Sequence, residues 1–85
     1  MTTKKELMRL KMSLYTVDLV ATGENIKRLR VKNGITIAQI QERLGLSSPR
    51  IIYRWQRGER LPSVENLILL SKMFNTIVND IVIFK

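Results

Sequence analysis

With 85 residues, no cysteine, no histidine and a formal net charge of +8, the chain has room for one small domain but for neither a disulfide framework nor a Cys- or His-ligated metal. The same absences remove every Ser–His or Cys–His nucleophile, and the 7 acidic residues are scattered singly, so no catalytic residue, metal ion or cofactor is expected. A hydrophobic share of 45% marks a globular chain, and the basic excess is the footprint of a protein that meets a polyanion, nucleic acid or an acidic membrane surface.

In chain order, residues 1–20 read as a basic lead-in, partly extended or disordered, and residues 21–85 as the domain. The segment "MTTKKELMRLKMSLY" lacks an uninterrupted apolar region and a small-residue cleavage site, and no apolar run approaches the roughly 18 residues of a membrane span; a cytoplasmic location without membrane contact is expected. Lys4 and Lys5 are candidates for an arm that tracks a groove. In "LYTVDLV", Tyr15, Val17 and Leu19 alternate with Thr16 and Asp18, which predicts a short extended segment.

The first helix is expected in "TGENIKRLRVKNG", with Thr22 as N-cap, Glu24 in the first turn and Asn33-Gly34 as the stop. Ile26, Leu29 and, less centrally, Val31 would face inward, and Lys27, Arg28 and Lys32 outward. In "ITIAQIQERLG" Thr36 caps a second helix, Ile37, Ile40 and Leu44 form its stripe, and Gly45 ends it. In "SSPRIIYRWQRG" Ser48 can cap, Pro49 suits the first helical position, Ile52 and Trp55 define the inward face, and Gly58 stops the helix. Pro62 and Ser63 open a fourth helix with Val64, Leu67, Leu70, Met73 and Phe74 inward and Asn75 at its end. A short last helix or extended tail, "IVNDIVIFK", follows. Its apolar end either packs on the first helix, pairs with "YTVDL" or forms a dimer interface.

Two short helices joined through Gly45-Leu46-Ser47 make a helix-turn-helix candidate. At about 100° per residue, Arg50 and Arg54 share one face of the third helix, with Pro49 and Tyr53 beside them and Ile52 and Trp55 pointing elsewhere. Arginines so spaced in a groove can meet consecutive base steps, each matching guanine O6 and N7 bidentately. Tyr53 offers a hydroxyl to phosphate or an apolar edge to a thymine methyl. Ser47 and Ser48 can donate to phosphate. Arg57 and Arg60 flank the glycine turn, where they can also complement the helix dipole.

"GENIKRLRVKNGIT", "IAQIQERLGLS", "IYRWQRGERLPS" and "NLILLSKMFN", in that order, resemble the Cro/C1-type helix-turn-helix family, the phage-repressor-like or XRE-like DNA-binding domains. The resemblance runs from Thr22 to about Ile83. It implies an all-α, five-helix repressor-like helix-turn-helix domain carrying a basic N-terminal segment. The implied function is a transcription regulator that binds double-stranded DNA, usually as a homodimer on a palindromic operator; a repressor role without a small-molecule ligand is expected here. Carried across, Pro49, Arg50 and Arg54 match base-contacting positions, Arg57 and Arg60 match phosphate contacts, and Thr36 and Ile37 lie where the second helix turns its free N–H groups to a phosphate.

Three positions depart from the family pattern. The turn "GLSSP" is one residue longer than in the phage repressors. Ile37 stands where Gln is common, leaving only a backbone N–H for that contact. Gln56 stands where Glu often faces an arginine matching Arg30, so a neutral carbonyl would replace a carboxylate. The competing reading is a protein-interaction module, such as the antitoxin of a toxin–antitoxin pair. A third reading is non-specific RNA or membrane-surface binding; charge on short capped helices rather than one long basic amphipathic helix argues against the membrane.

Overall fold

Asp18, not Thr22, opens the first helix: its Oδ1 accepts the Ala21 N–H at 3.0 Å. The computed structural model describes Thr3, Lys4 and residues 16–85. Lys5 and the remaining lead-in, Tyr15 included, lie outside the described residues. Five helices follow in order: α1 Leu19–Lys32, α2 Ile37–Leu44, α3 Arg50–Gln56, α4 Val64–Met73 and α5 Val78–Ile81. The domain is all-α, its one β-bridge among the described residues pairing Val17 with Phe84.

The inward side of α1 is Thr22, Gly23, Ile26 and Leu29, a helical stripe of period 3.6. Val31 is 60% exposed and belongs to the solvent side, a correction to the expected face. Leu19, read as extended, is already helical, because Asp18 supplies a cap four residues earlier than Thr22 would. Thr22 is buried, and its hydroxyl accepts the Ile83 N–H at 2.9 Å. Helix α1 ends as expected at Asn33, with Gly34 at φ 64°.

Helix α2 opens with a full capping box: Thr36 Oγ1 accepts from Gln39 N–H and Gln39 Oε1 accepts from Thr36 N–H. Gly45, at φ 65°, ends it. Helix α4 opens on Ser63, whose Oγ accepts from Asn66 N–H. Its core side is Leu67, Leu70, Ser71 and Phe74. Val64 was expected there too, but at the first helical position it points outward, 73% exposed. Asn75, left-handed at φ 52°, follows the Phe74 cap and completes the stop.

Ile26, Leu29, Ile40, Ile52, Trp55, Leu67, Leu70, Phe74 and Ile81 form one core drawn from all five helices, each burial contributing about 1.5–3 kcal/mol before entropy is charged against it. The tail beyond α5 packs on α1 and also pairs with the entry segment. Asp18 N–H reaches Ile83 O at 2.7 Å and Lys85 N–H reaches Thr16 O at 2.9 Å. Asn25 Nδ2 donates to the carbonyls of Asp80 and Ile81 at 2.7 and 3.0 Å.

Helix α1 crosses the C-terminal end of α3 at backbone contact. A Cβ on Gly23 would stand 2.3 Å from Trp55 O and 2.7 Å from Gln56 O. Gly58, at φ 75°, meets the same helix one turn earlier, where a Cβ would lie 2.6 Å from Val20 Cα. In an ordinary helix position Gly→Ala gains about 1 kcal/mol. At residue 23 overpacking against carbonyl oxygens reverses the sign, so Gly23→Ala is expected to destabilise by about 1–3 kcal/mol. Urea unfolding measures it, and a stabilised variant would mean that the crossing is looser than the structure has it.

Candidate nucleic-acid interface

Helix α3 has two sides of different character. Ile52 and Trp55 are 0% and 3% exposed, which fixes the rotation of the helix on the core. Rotation fixed, Arg50, Tyr53 and Arg54 are all exposed. No intramolecular hydrogen bond or ion pair holds either guanidinium among the described residues. Pro49 is exposed with helical angles, φ −68° and ψ −18°, and Ser48 Oγ accepts the Arg50 N–H at 3.1 Å. The serine hydroxyl hydrogen is thereby left available to an outside acceptor. Ser47 is exposed beside it.

The end of α3 continues the basic surface. Arg57 N–H bonds Tyr53 O, Gly58 N–H bonds Trp55 O and Glu59 N–H returns to Arg54 O, so the chain reverses tightly and presents Arg57, Glu59 and Arg60 together. Arg57 Nε donates to Glu59 Oε2, both side chains about half exposed. That hydrogen bond, helped by the charges of Arg57 and Arg54 and opposed by desolvation, lowers the Glu59 carboxyl pKa from its ordinary value. Arg54 and Arg60 line one crevice with Trp55, Leu61, Ser63 and Asn66. Thus Arg54, Arg57 and Arg60 come together.

Thr36 and Ile37 join this surface only through the packing of α2 on α3. With Gln39 N–H taken by Thr36, the N–H groups of Ile37 and Ala38 have no intramolecular acceptor among the described residues. The Ile37 side chain packs against the core. Lys4 is exposed; Lys5 lies outside the described residues.

Sequence reasoning missed two members. Glu59 is an acid inside the basic surface, and only the Gly58 reversal brings it onto Arg57. Gln39 completes the capping box, and its signal, Thr-x-x-Gln, was readable. The Arg30–Gln56 pair expected from the resemblance is present: Arg30 Nε donates to Gln56 Oε1 at 3.0 Å. Arg30 also donates to Ile35 O at 3.0 Å, so it is held rather than free, binding α1, the α1–α2 turn and α3 into one unit.

An α2–turn–α3 pair with its second helix packed on one side and arginine-lined on the other defines a helix-turn-helix DNA-binding domain. A family model described as Helix-turn-helix matches residues 26–77, and the chain belongs to that family, the Cro/C1-type or XRE-like helix-turn-helix proteins. It is a DNA-binding transcription regulator of that type, with double-stranded DNA as its partner; the family comprises regulators, not enzymes.

Among solved structures, the restriction-modification controller protein C.AhdI from Aeromonas hydrophila is similar at a TM-score of 0.66 and 23% identity, over 75% of this chain and 96% of that one. The DNA-binding domain of BldD is similar at a TM-score of 0.62 and 17% identity, over 76% and 93%. At these identities the likeness is one of fold. No curated protein sequence matches the chain. No helix among the described residues is long and apolar enough to cross a membrane.

Replacing Gln56 by glutamate would convert the hydrogen bond from Arg30 into a charge-assisted one at a half-buried position. Gln56→Glu is expected to stabilise the fold by about 0.5–1 kcal/mol, which thermal unfolding reads as a rise of a few degrees. An unchanged or lowered midpoint would show that desolvating the new carboxylate cancels the gain.

Proposed function

We propose that the chain is a sequence-specific repressor that binds duplex DNA as a homodimer, laying α3 in the major groove. The observation that carries this is the pair of exposed guanidiniums of Arg50 and Arg54, unheld by any partner among the described residues, on a helix whose rotation is locked by buried Ile52 and Trp55. Groups fixed in direction but unpaired are pre-organised for an outside ligand. Guanine edges suit them in spacing and chemistry.

In this reading Pro49, Arg50, Tyr53 and Arg54 meet base edges. Thr36, Ile37, Ser47, Ser48, Arg57 and Arg60 hold phosphates, and Lys4 and Lys5 follow the neighbouring groove as an arm. Two recognition helices of a dimer would lie about 34 Å apart, one turn of the duplex. Repression follows from occupying a site that transcription needs. To reach a phosphate, Arg57 must leave Glu59, a step of small cost for a half-exposed ion pair.

Selection of bound duplexes from a random pool at moderate salt is expected to return an inverted repeat with guanines in each half-site. Retention of DNA without any consensus would reduce the +8 charge to a phosphate binder. On the selected site, Arg50→Ala or Arg54→Ala should cost about 1–3 kcal/mol and relax one or two positions. Arg57→Ala or Arg60→Ala should weaken cognate and random DNA alike and lower the salt slope by about one. Equal losses on both DNAs for Arg50→Ala would remove its reading role.

Glu59→Gln frees Arg57 and deletes a negative charge from the surface, so tighter binding to every sequence is expected in a titration at fixed salt. Weaker binding would make the ion pair a device for positioning Arg57 instead.

A further inference from the structure

The side of α4 opposite the core carries Glu65, Ile68, Leu69 and Lys72, at i, i+3, i+4 and i+7, one stripe along the helix. All four are exposed, with Ile68 and Leu69 at 44% and 37%. Along the axis the stripe reads acid, apolar, apolar, base, and its midpoint falls between Ile68 and Leu69. Turned end for end about that midpoint it becomes its own complement: Glu65 exchanges places with Lys72. A two-fold contact demands this kind of surface, since each patch must fit a copy of itself.

From this self-complementarity we propose that α4 is the seat of the homodimer, packed antiparallel on α4 of a second copy. The proposal rests on the homodimer reading above and adds to it where the two-fold axis passes. Facing helices related by that axis bring the apolar pair Ile68 and Leu69 against the same pair of the second copy, with a glutamate–lysine contact between positions 65 and 72 at each end. Antiparallel packing also sets the acid-bearing N-terminal end of each helix beside the base-bearing C-terminal end of the other, the favourable sense for both dipoles. Val64, exposed one turn before Ile68, extends the strip under the aliphatic stem of the facing lysine.

Charge reversal tests the register by sedimentation at graded concentration, with circular dichroism reporting that helicity is kept. Glu65→Lys alone and Lys72→Glu alone each place like charges opposite one another at both ends, so each dimer dissociation constant should rise about tenfold or more. When the two variants are mixed, a dimer of one with the other again sets a lysine against a glutamate at both ends, and dimer should return to near the wild-type level. Ile68→Lys, at a position exposed in the single chain, should abolish the dimer whatever the charges do. All three variants should keep binding an isolated half-site with the wild-type base preference, which separates this surface from the DNA-reading one.

A dimer that survives the single reversals, or a mixture that gains nothing, overturns the α4 seat and leaves the homodimer reading standing. A wild type that stays monomeric at every concentration overturns both.

Discussion

The position of the recognition surface depends on one steric fact, the absence of a side chain at residue 23. There the backbone of α1 lies against the last carbonyls of α3, closer than any two helices separated by side chains can approach. Gly58 lets the chain leave α3 and pass under the start of α1. Arg30 adds a third tie to Gln56. A seven-residue helix is too short to be stable alone; contacts at its end and the burial of Ile52 and Trp55 hold it. Arg50 and Arg54 inherit their direction from those buried contacts.

A second consequence concerns polar groups. Bringing two backbones so close buries Thr22 and Gly23 on one side of α1, and with them the Thr22 hydroxyl. A buried hydroxyl without a partner would cost about 1–3 kcal/mol. The tail removes that cost, because Ile83 N–H donates to Thr22 Oγ1 while Asn25 satisfies the open carbonyls of α5. The tail thus supports the same end of α1 that seats α3, and the apolar run "IVIFK" serves the single chain before any partner.

Much of this was legible in the residues. Ile52 and Trp55 three apart, with arginines off that face, gave the rotation of α3, and Thr36, Gly45, Ser63 and Asn75 marked helix ends where they stand. What escaped needed tertiary knowledge. Asp18 and Thr22 are both good capping residues, and the choice between them turns on a hydrogen bond to a residue 61 positions on. Gly23 reads as a weak helix residue unless the neighbouring carbonyls are seen. Val31 and Val64 were drawn inward on apolar character alone; Val31 falls on the solvent side of α1 and Val64 at the edge of the α4 stripe. The Arg30–Gln56 pair came from the family resemblance, not from spacing; Glu59 stayed hidden because pairing it with Arg57 requires the left-handed turn at Gly58.

The bridge between Val17 and Phe84 makes the described domain a ring in space: its entry and exit run side by side on one edge. Any segment joined to either end therefore leaves from the same place, at the start of α1. The order of the helices along the chain is correspondingly free to change. A short link across residues 16 and 85, with new ends opened at the exposed Asn33–Gly34 turn, would leave every core contact in place while splitting α1 from α2 in sequence. The architecture is cyclic, and the linear sequence is one of several ways to write it.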